Sequence, residues 1–169
     1  MADRDIAFAQ FVTAKGDGLQ RTAYLLCGDW HRAEDLAQVT FTKLYRQWPK
    51  LADRDALDGY ARKVLVRVFL SERRLGWFRR EHVTAEHEEP GEQGWAPPED
   101  RLMLLAALAR VPAGQRAVLV LRYWEDMSVG DTARLLECSE GTVKSQAARG
   151  LQALRVLLNV TELSPRRGA

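Results

Sequence analysis

Thr142, Lys144, Ser145 and Arg149 lie close together near the C-terminal end of the chain, and their types suit contact with duplex DNA. An arginine can grip guanine O6 and N7 with two N–H groups. A lysine pairs with phosphate, and hydroxyls bond to bases or backbone. This chemistry needs a helix that enters the major groove. Residues 127–149 supply the pattern. Ser128 is placed to cap a short helix carrying Ala133, Leu135 and Leu136, and Glu137-Cys138-Ser139 form a three-residue turn. Ser139 then caps a longer helix running through Leu154. A helix-turn-helix of this kind offers its second helix to DNA.

At about 100° per residue, Val143, Ala147, Gly150, Leu151 and Leu154 share one side of that second helix and must pack inward. Gly141, Ser145, Ala148, Arg149 and Gln152 lie opposite, with Thr142 and Lys144 on the shoulders. Small residues on that side let the backbone approach a groove. An ordinary amphipathic helix with a solvated face would show the same polarity. The capped short helix and turn ahead of it favour the DNA reading.

The elements that must position these residues are helical throughout, so the expected fold class is all-α, with two small helical domains. Phe8, Phe11 and Val12 suggest a first helix, and Leu19, Ala23, Leu25 and Leu26 a second that ends at Gly28. Asp29 is a cap for a third, from about Trp30 to Trp48, stopped by Pro49. Its expected apolar face is Ala33, Ala37, Phe41, Leu44, Tyr45 and Trp48. A fourth spans about Ala56 to Val66, and Ser71 is placed to cap a fifth through Arg80. Helices resume at about Glu99–Arg110, Ala113–Glu125, Ser128–Leu136 and Ser139–Leu158. Between them, Pro90, Gly91, Gly94, Pro97 and Pro98 crowd a short acidic stretch that reads as a flexible linker, with Trp95 as its one aromatic residue. The expected boundaries are 1–82 for the first domain, 83–98 for the linker and 99–160 for the second. The tail, 161–169, reads as disordered.

Composition limits the alternatives. The 169 residues carry a formal net charge of only +2, but the charge is unevenly spread. Residues 60–80 hold seven cations against Glu72 alone, and residues 81–100 hold seven acidic residues with no lysine or arginine. The basic segment interleaves its cations with Phe69, Leu70, Trp77 and Phe78. That mixture suits single-stranded nucleic acid, where bases stack and phosphates pair; it equally suits an amphipathic helix whose aromatics are core. Asp35, Gln38 and Thr42 recur on the polar side of the third helix, as a solvated face or a partner surface. Cys27 and Cys138 have no metal or redox spacing and read as buried, reduced thiols. No apolar run approaches the roughly 20 residues of a membrane span, and the N-terminus lacks a signal-peptide apolar region. A soluble cytoplasmic protein with no cofactor and no metal is expected.

Two stretches carry a family resemblance. Ala33-Glu34-Asp35-Leu36-Ala37-Gln38-Val39-Thr40-Phe41 resembles the core-binding motif in region 2 of extracytoplasmic-function (ECF) sigma factors. Residues 116–123, Arg-Ala-Val-Leu-Val-Leu-Arg-Tyr, and 141–145, Gly-Thr-Val-Lys-Ser, resemble their region 4. Leu25-Leu26-Cys27-Gly28-Asp29 and Lys144-Ser145-Gln146 are similar to an actinobacterial SigE-type subgroup. The resemblance spans about residues 5–158 in the family's order.

What it implies is specific. Asp35, Gln38 and Thr42 would bind the clamp helices of the largest subunit of core RNA polymerase, and region 4 its flap. Arg62, Lys63, Arg67, Ser71, Arg73 and Arg74 would bind the minus-10 promoter element and its melted strand. A loop at about Arg67–Ser71 would capture an extruded base, offsetting a few kcal/mol of unstacking. Thr142, Lys144, Ser145 and Arg149 would read the minus-35 duplex. The acidic linker would thread toward the polymerase active-site and RNA-exit channels. Many relatives are held inactive by an anti-sigma factor. The chain departs from the family pattern at Arg67, where Asn is common, at Glu137 in the turn, where Gly is usual, and at Gln146, where Arg is frequent.

Two other functions are weaker. A stand-alone helix-turn-helix repressor would bind two-fold operators as a dimer, yet the N-terminal half offers no long dimer helix. An enzyme would need a site, and His82, His87, Glu86, Glu88 and Glu89 lack metal-ligand spacing and lie in or at the edge of the expected linker.

Overall fold

The computed structural model describes residues 2–51, 56–74 and 99–159. The chain divides into two compact units, Met1–Ala85 and Glu86–Ala169. Among the described residues every regular element is helical.

The first unit holds α1 (Ala2–Cys27), α2 (Trp30–Gln47) with a short 3-10 turn at Trp48–Lys50, and α3 (Leu57–Arg74). Sequence signals predict two helices before Gly28, but α1 is continuous. Gly16 and Gly18 each cost about 1 kcal/mol against alanine in a helix. Packing against α2 outweighs that local preference, burying Leu19, Ala23 and Leu26. Gly28, at φ 75°, ends α1 in the left-handed region. Asp29 caps α2 as expected: its carboxylate accepts from the Arg32 N–H at 3.2 Å.

The core face of α2 is shifted from the expected one. Ala33, Ala37 and Leu44 are buried, joined by Leu36 and by Thr40, whose hydroxyl donates to the Leu36 carbonyl at 2.8 Å. Tyr45 is exposed and Trp48 half-buried, both at the edge. The start of α1 covers them. Phe8 meets Tyr45 and Trp48 edge-on at 5.1 and 5.2 Å, and the Arg4 guanidinium lies 4.5 Å above the Tyr45 ring.

The predicted break before Ser71 is absent. α3 runs unbroken through Arg74, and Ser71 is an exposed interior residue, not a cap. Val66, Val68 and Phe69 continue the buried stripe of Leu57, Ala61 and Leu65, and no glycine or proline falls between Ala61 and Arg74. Burial of that stripe carries the helix past the serine. The expected linker with Trp95, the cations beyond Arg74 and the tail lie outside the described residues.

The second unit holds α4 (Glu99–Arg110), α5 (Ala113–Leu119) with a π-helical turn at Val120–Trp124, α6 (Val129–Leu136) and α7 (Glu140–Leu158). Arg116 of α5 is 2% exposed. Its Nη2 donates to the carbonyls of Ala109 (2.8 Å) and Val111 (2.7 Å), which fastens the end of α4 to α5. A charge-assisted donor thus satisfies carbonyls that the end of a helix leaves open. The π turn replaces the last part of the predicted Ala113–Glu125 helix; Glu125 N–H reaches back to Val120 O at 3.0 Å. Cys27 and Cys138 are half-buried, not fully buried. Cys138 packs on the edge of the cluster of Val118, Ala133, Val143 and Ala147.

Candidate nucleic-acid interface

Two serines build the helix-turn-helix. Ser128 Oγ accepts from Asp131 N–H at 3.0 Å and Ser139 Oγ from Thr142 N–H at 3.1 Å. Each satisfies one of the free donors at its helix start. Between them Glu137 sits at φ 56°, ψ 47°, the left-handed conformation that favours glycine. Cys138 N–H then bonds to Ala133 O at 3.0 Å and closes the end of α6.

The expected inner face of α7 is buried as a set: Val143, Ala147, Gly150, Leu151 and Leu154. Gly150 permits close approach to α5, since a Cβ there would lie 2.8 Å from Leu119 Cδ1. Thr142, Lys144, Ser145 and Arg149 are all exposed. From Gly141 to Arg149 the outward face spans about 12 Å at 1.5 Å per residue, a reach of three to four base steps at about 3.4 Å each. The four predicted residues are not equivalent. The Thr142 hydroxyl is 2.9 Å from Ser139 Oγ and belongs to the cap. Lys144 and Arg149 make no ion pair among the described residues and are free to meet an anion. Glu140, the first residue of α7, is also exposed, and the sequence reading passes over it.

In the first unit, Asp35, Gln38 and Thr42 are exposed on α2. Thr42 donates to the Gln38 carbonyl at 2.9 Å, so its hydroxyl is oriented by its own helix. The basic residues of α3 separate into two directions. Lys63, Arg67 and Ser71 follow one another at four-residue spacing and share a face. Arg62 points elsewhere, with Nε donating to the Asp58 carbonyl at 3.3 Å. The side chains of Arg73 and Arg74 lie outside the described residues. Because residues 67–71 are helical, the expected base-capturing loop at that place does not exist.

A groove of about 640 Å³ runs between α2 and α3, where Lys43, Arg46 and Arg67 surround a floor of Val39, Val64 and Val68. Lys43 and Arg46 are absent from the sequence-level candidates. Their signal was the Val39, Lys43, Arg46 stripe, which only acquires meaning once α3 lies beside it. Glu72 lines the same groove, and burial, with the nearby Asp35 charge, raises its carboxyl above the usual value against the opposing pull of Lys43.

These features match known proteins in both units. Residues 11–79 match the family model of sigma-70 region 2, and residues 101–154 that of sigma-70 region 4. The RNA polymerase sigma-E factor of Streptomyces coelicolor is 34% identical over 166 residues, covering 95% of this chain and 91% of that protein. The ECF RNA polymerase sigma factor SigL of Mycobacterium tuberculosis is 32% identical over 151 residues, covering 83% of this chain and 82% of its own. Among solved structures, the sigma factor RpoE of Bartonella quintana, crystallised with the anti-sigma factor NepR, aligns with a TM-score of 0.72 at 25% identity, covering 92% of this chain and 99% of that one. The chain belongs to the sigma-70 family of RNA polymerase sigma factors, within its ECF group.

Proposed function

We propose that the chain binds core RNA polymerase, carries it to promoters and helps to open them, with no catalysis of its own. The carrying observation is the outward face of α7, where Lys144 and Arg149 stand free while the inner face is fully packed. On this reading Arg149 and Ser145 read base edges of the minus-35 duplex, Lys144 meets phosphate, and Thr142 holds the helix start in register. Asp35, Gln38 and Thr42 contact the clamp helices of the largest subunit, and the second unit contacts the flap. Lys63, Arg67 and Ser71 form the track for the melted minus-10 strand, with Arg62, Arg73 and Arg74 as flanking phosphate contacts.

Residues 1–82 act as region 2 and 99–160 as region 4. Joining two weak binders through the acidic linker at 83–98 raises the effective concentration of each at its own promoter element. The protein works in the cytoplasm beside the polymerase. An anti-sigma factor, the kind of partner named for the Bartonella protein, would silence it by covering these surfaces.

Separation of the two surfaces tests the proposal. Arg149→Ala should reduce minus-35 discrimination, by about 1–3 kcal/mol if the contact is bidentate, with core affinity unchanged. Asp35→Ala with Gln38→Ala should weaken core binding in a polymerase pull-down titration. Loss of core affinity in the first variant, or wild-type core affinity in the second, would refute this division of labour.

A further inference from the structure

We propose that Glu140 is a specificity-determining residue of the duplex reader, selecting cytosine at one position of the upstream promoter element. The inference rests on the sigma-factor reading and adds a residue and a base preference to it.

Glu140 is the first residue of α7, and the N-terminal residues of a recognition helix are those that reach base edges. It is exposed, and its carboxylate makes no hydrogen bond or ion pair among the described residues. Its Oε1 lies 3.2 Å from where a Cβ on Gly130 would stand. The carboxylate therefore rests over the first turn of α6, in space that a glycine leaves open, at the mouth between the two helices. Its neighbours in α7 cannot substitute for it. Gly141 has no side chain, and the Thr142 hydroxyl is held by Ser139. Glu140 is the free polar side chain among the first three residues of the helix.

A carboxylate only accepts hydrogen bonds, and this decides which base it tolerates. In the major groove guanine presents two acceptors, N7 and O6, which repel it. Thymine presents the O4 acceptor and a methyl group. Adenine offers its amino donor beside the N7 acceptor. Cytosine alone presents a donor, N4–H, with no acceptor on its own major-groove edge. Cytosine is the base that Glu140 selects. The same charge stands near the phosphates and lowers affinity for every duplex, so its benefit appears only where the cytosine is present. Along α7, Glu140 is about 13 Å from Arg149. The selected cytosine therefore lies about four base pairs from the base read by Arg149, at about 3.4 Å per step.

The test uses holoenzyme, the full chain on core RNA polymerase, and a pool of promoter fragments randomised across the upstream element. Bound fragments are sequenced for wild type, Arg149→Ala, Glu140→Ala and Glu140→Arg. The expected wild-type motif contains a cytosine about four base pairs from the position that Arg149→Ala relaxes. Glu140→Ala should reduce preference for that cytosine by about 5–100-fold and leave the other positions unchanged. Glu140→Arg should move the preference at that position from cytosine to guanine, a gain that an unfolded variant cannot produce. An identical motif for wild type and Glu140→Ala would overturn the inference, as would a uniform gain in affinity for all fragments. A wild-type holoenzyme that enriches no motif would overturn the sigma-factor reading and this inference with it.

Discussion

Gly150→Ala sets two effects of known sign against each other. In an isolated helix the change would stabilise α7 by about 1 kcal/mol, because alanine is the better helix former. In this fold the new Cβ would stand 2.8 Å from Leu119 Cδ1, 3.0 Å from Cγ and 3.3 Å from Cδ2. Leu119 is 4% exposed, so its side chain has little space to move into. Rotating one methyl group clears one contact and leaves the branch carbon, which forces α5 and α7 apart or Leu119 off its rotamer. Overpacking of this kind costs about 1–3 kcal/mol. With the branch carbon involved we place it at the upper end, for a net loss of about 1–2 kcal/mol. In a domain of this size that lowers the melting temperature by about 4–8 °C per kcal/mol. Circular dichroism melts of the full chain, with Leu119→Ala and the double variant beside Gly150→Ala, complete a double-mutant cycle. The double variant should recover part of the combined loss, because shortening Leu119 makes room for the methyl. A Gly150→Ala protein that melts higher than wild type would show that Leu119 yields freely and that the close approach does not hold α7.

Three further outcomes are expected. Glu137→Gly should stabilise the second unit by about 0.5–1 kcal/mol, since it relieves a left-handed glutamate; a lower denaturation midpoint would refute the strain at φ 56°. Thr132 is fully buried and its hydroxyl has no hydrogen-bond partner among the described residues, so Thr132→Val should raise stability by about 1 kcal/mol, read as a higher midpoint in urea. Glu72 has a raised carboxyl pKa in the folded state, so the native protein holds this proton more tightly than the unfolded chain. Stability from this group is present at low pH and falls as pH rises through that raised value. Glu72→Gln should therefore melt higher than wild type at pH 7, with the difference shrinking as pH falls toward the ordinary carboxylate value of 4.5; an equal difference at both ends would remove the titration from the account.

What the sequence made legible was local. The caps at Ser128, Ser139 and Asp29 depend on a side chain bonding to a backbone N–H three residues ahead, and all three form. The buried stripe of α7 follows from helical periodicity alone. The mistakes came where a distant partner overrode a local signal. The apolar positions before Gly28 read as two helices, yet α1 continues because α2 packs along it. Ser71 read as a cap, yet the burial of Val68 and Phe69 carries α3 beyond it. The π turn after Leu119 has no spacing signature, because an amphipathic run of the same composition also fits an α-helix. Partnership is likewise invisible in one dimension. Sequence nominates Thr142, Lys144 and Arg149 alike as polar residues near a groove and passes over Glu140, and only the folded structure separates the hydroxyl bound in a cap from the charges left free.

The central claim is that this chain gives core RNA polymerase its choice of promoter. The most direct measurement combines the purified chain with core enzyme and a pool of genomic promoter fragments, then sequences the 5′ ends of the transcripts. The account predicts discrete start sites that share two upstream motifs and that appear only when both proteins are present. Specific duplex binding by the chain alone, with no association with polymerase and no new starts, would contradict it.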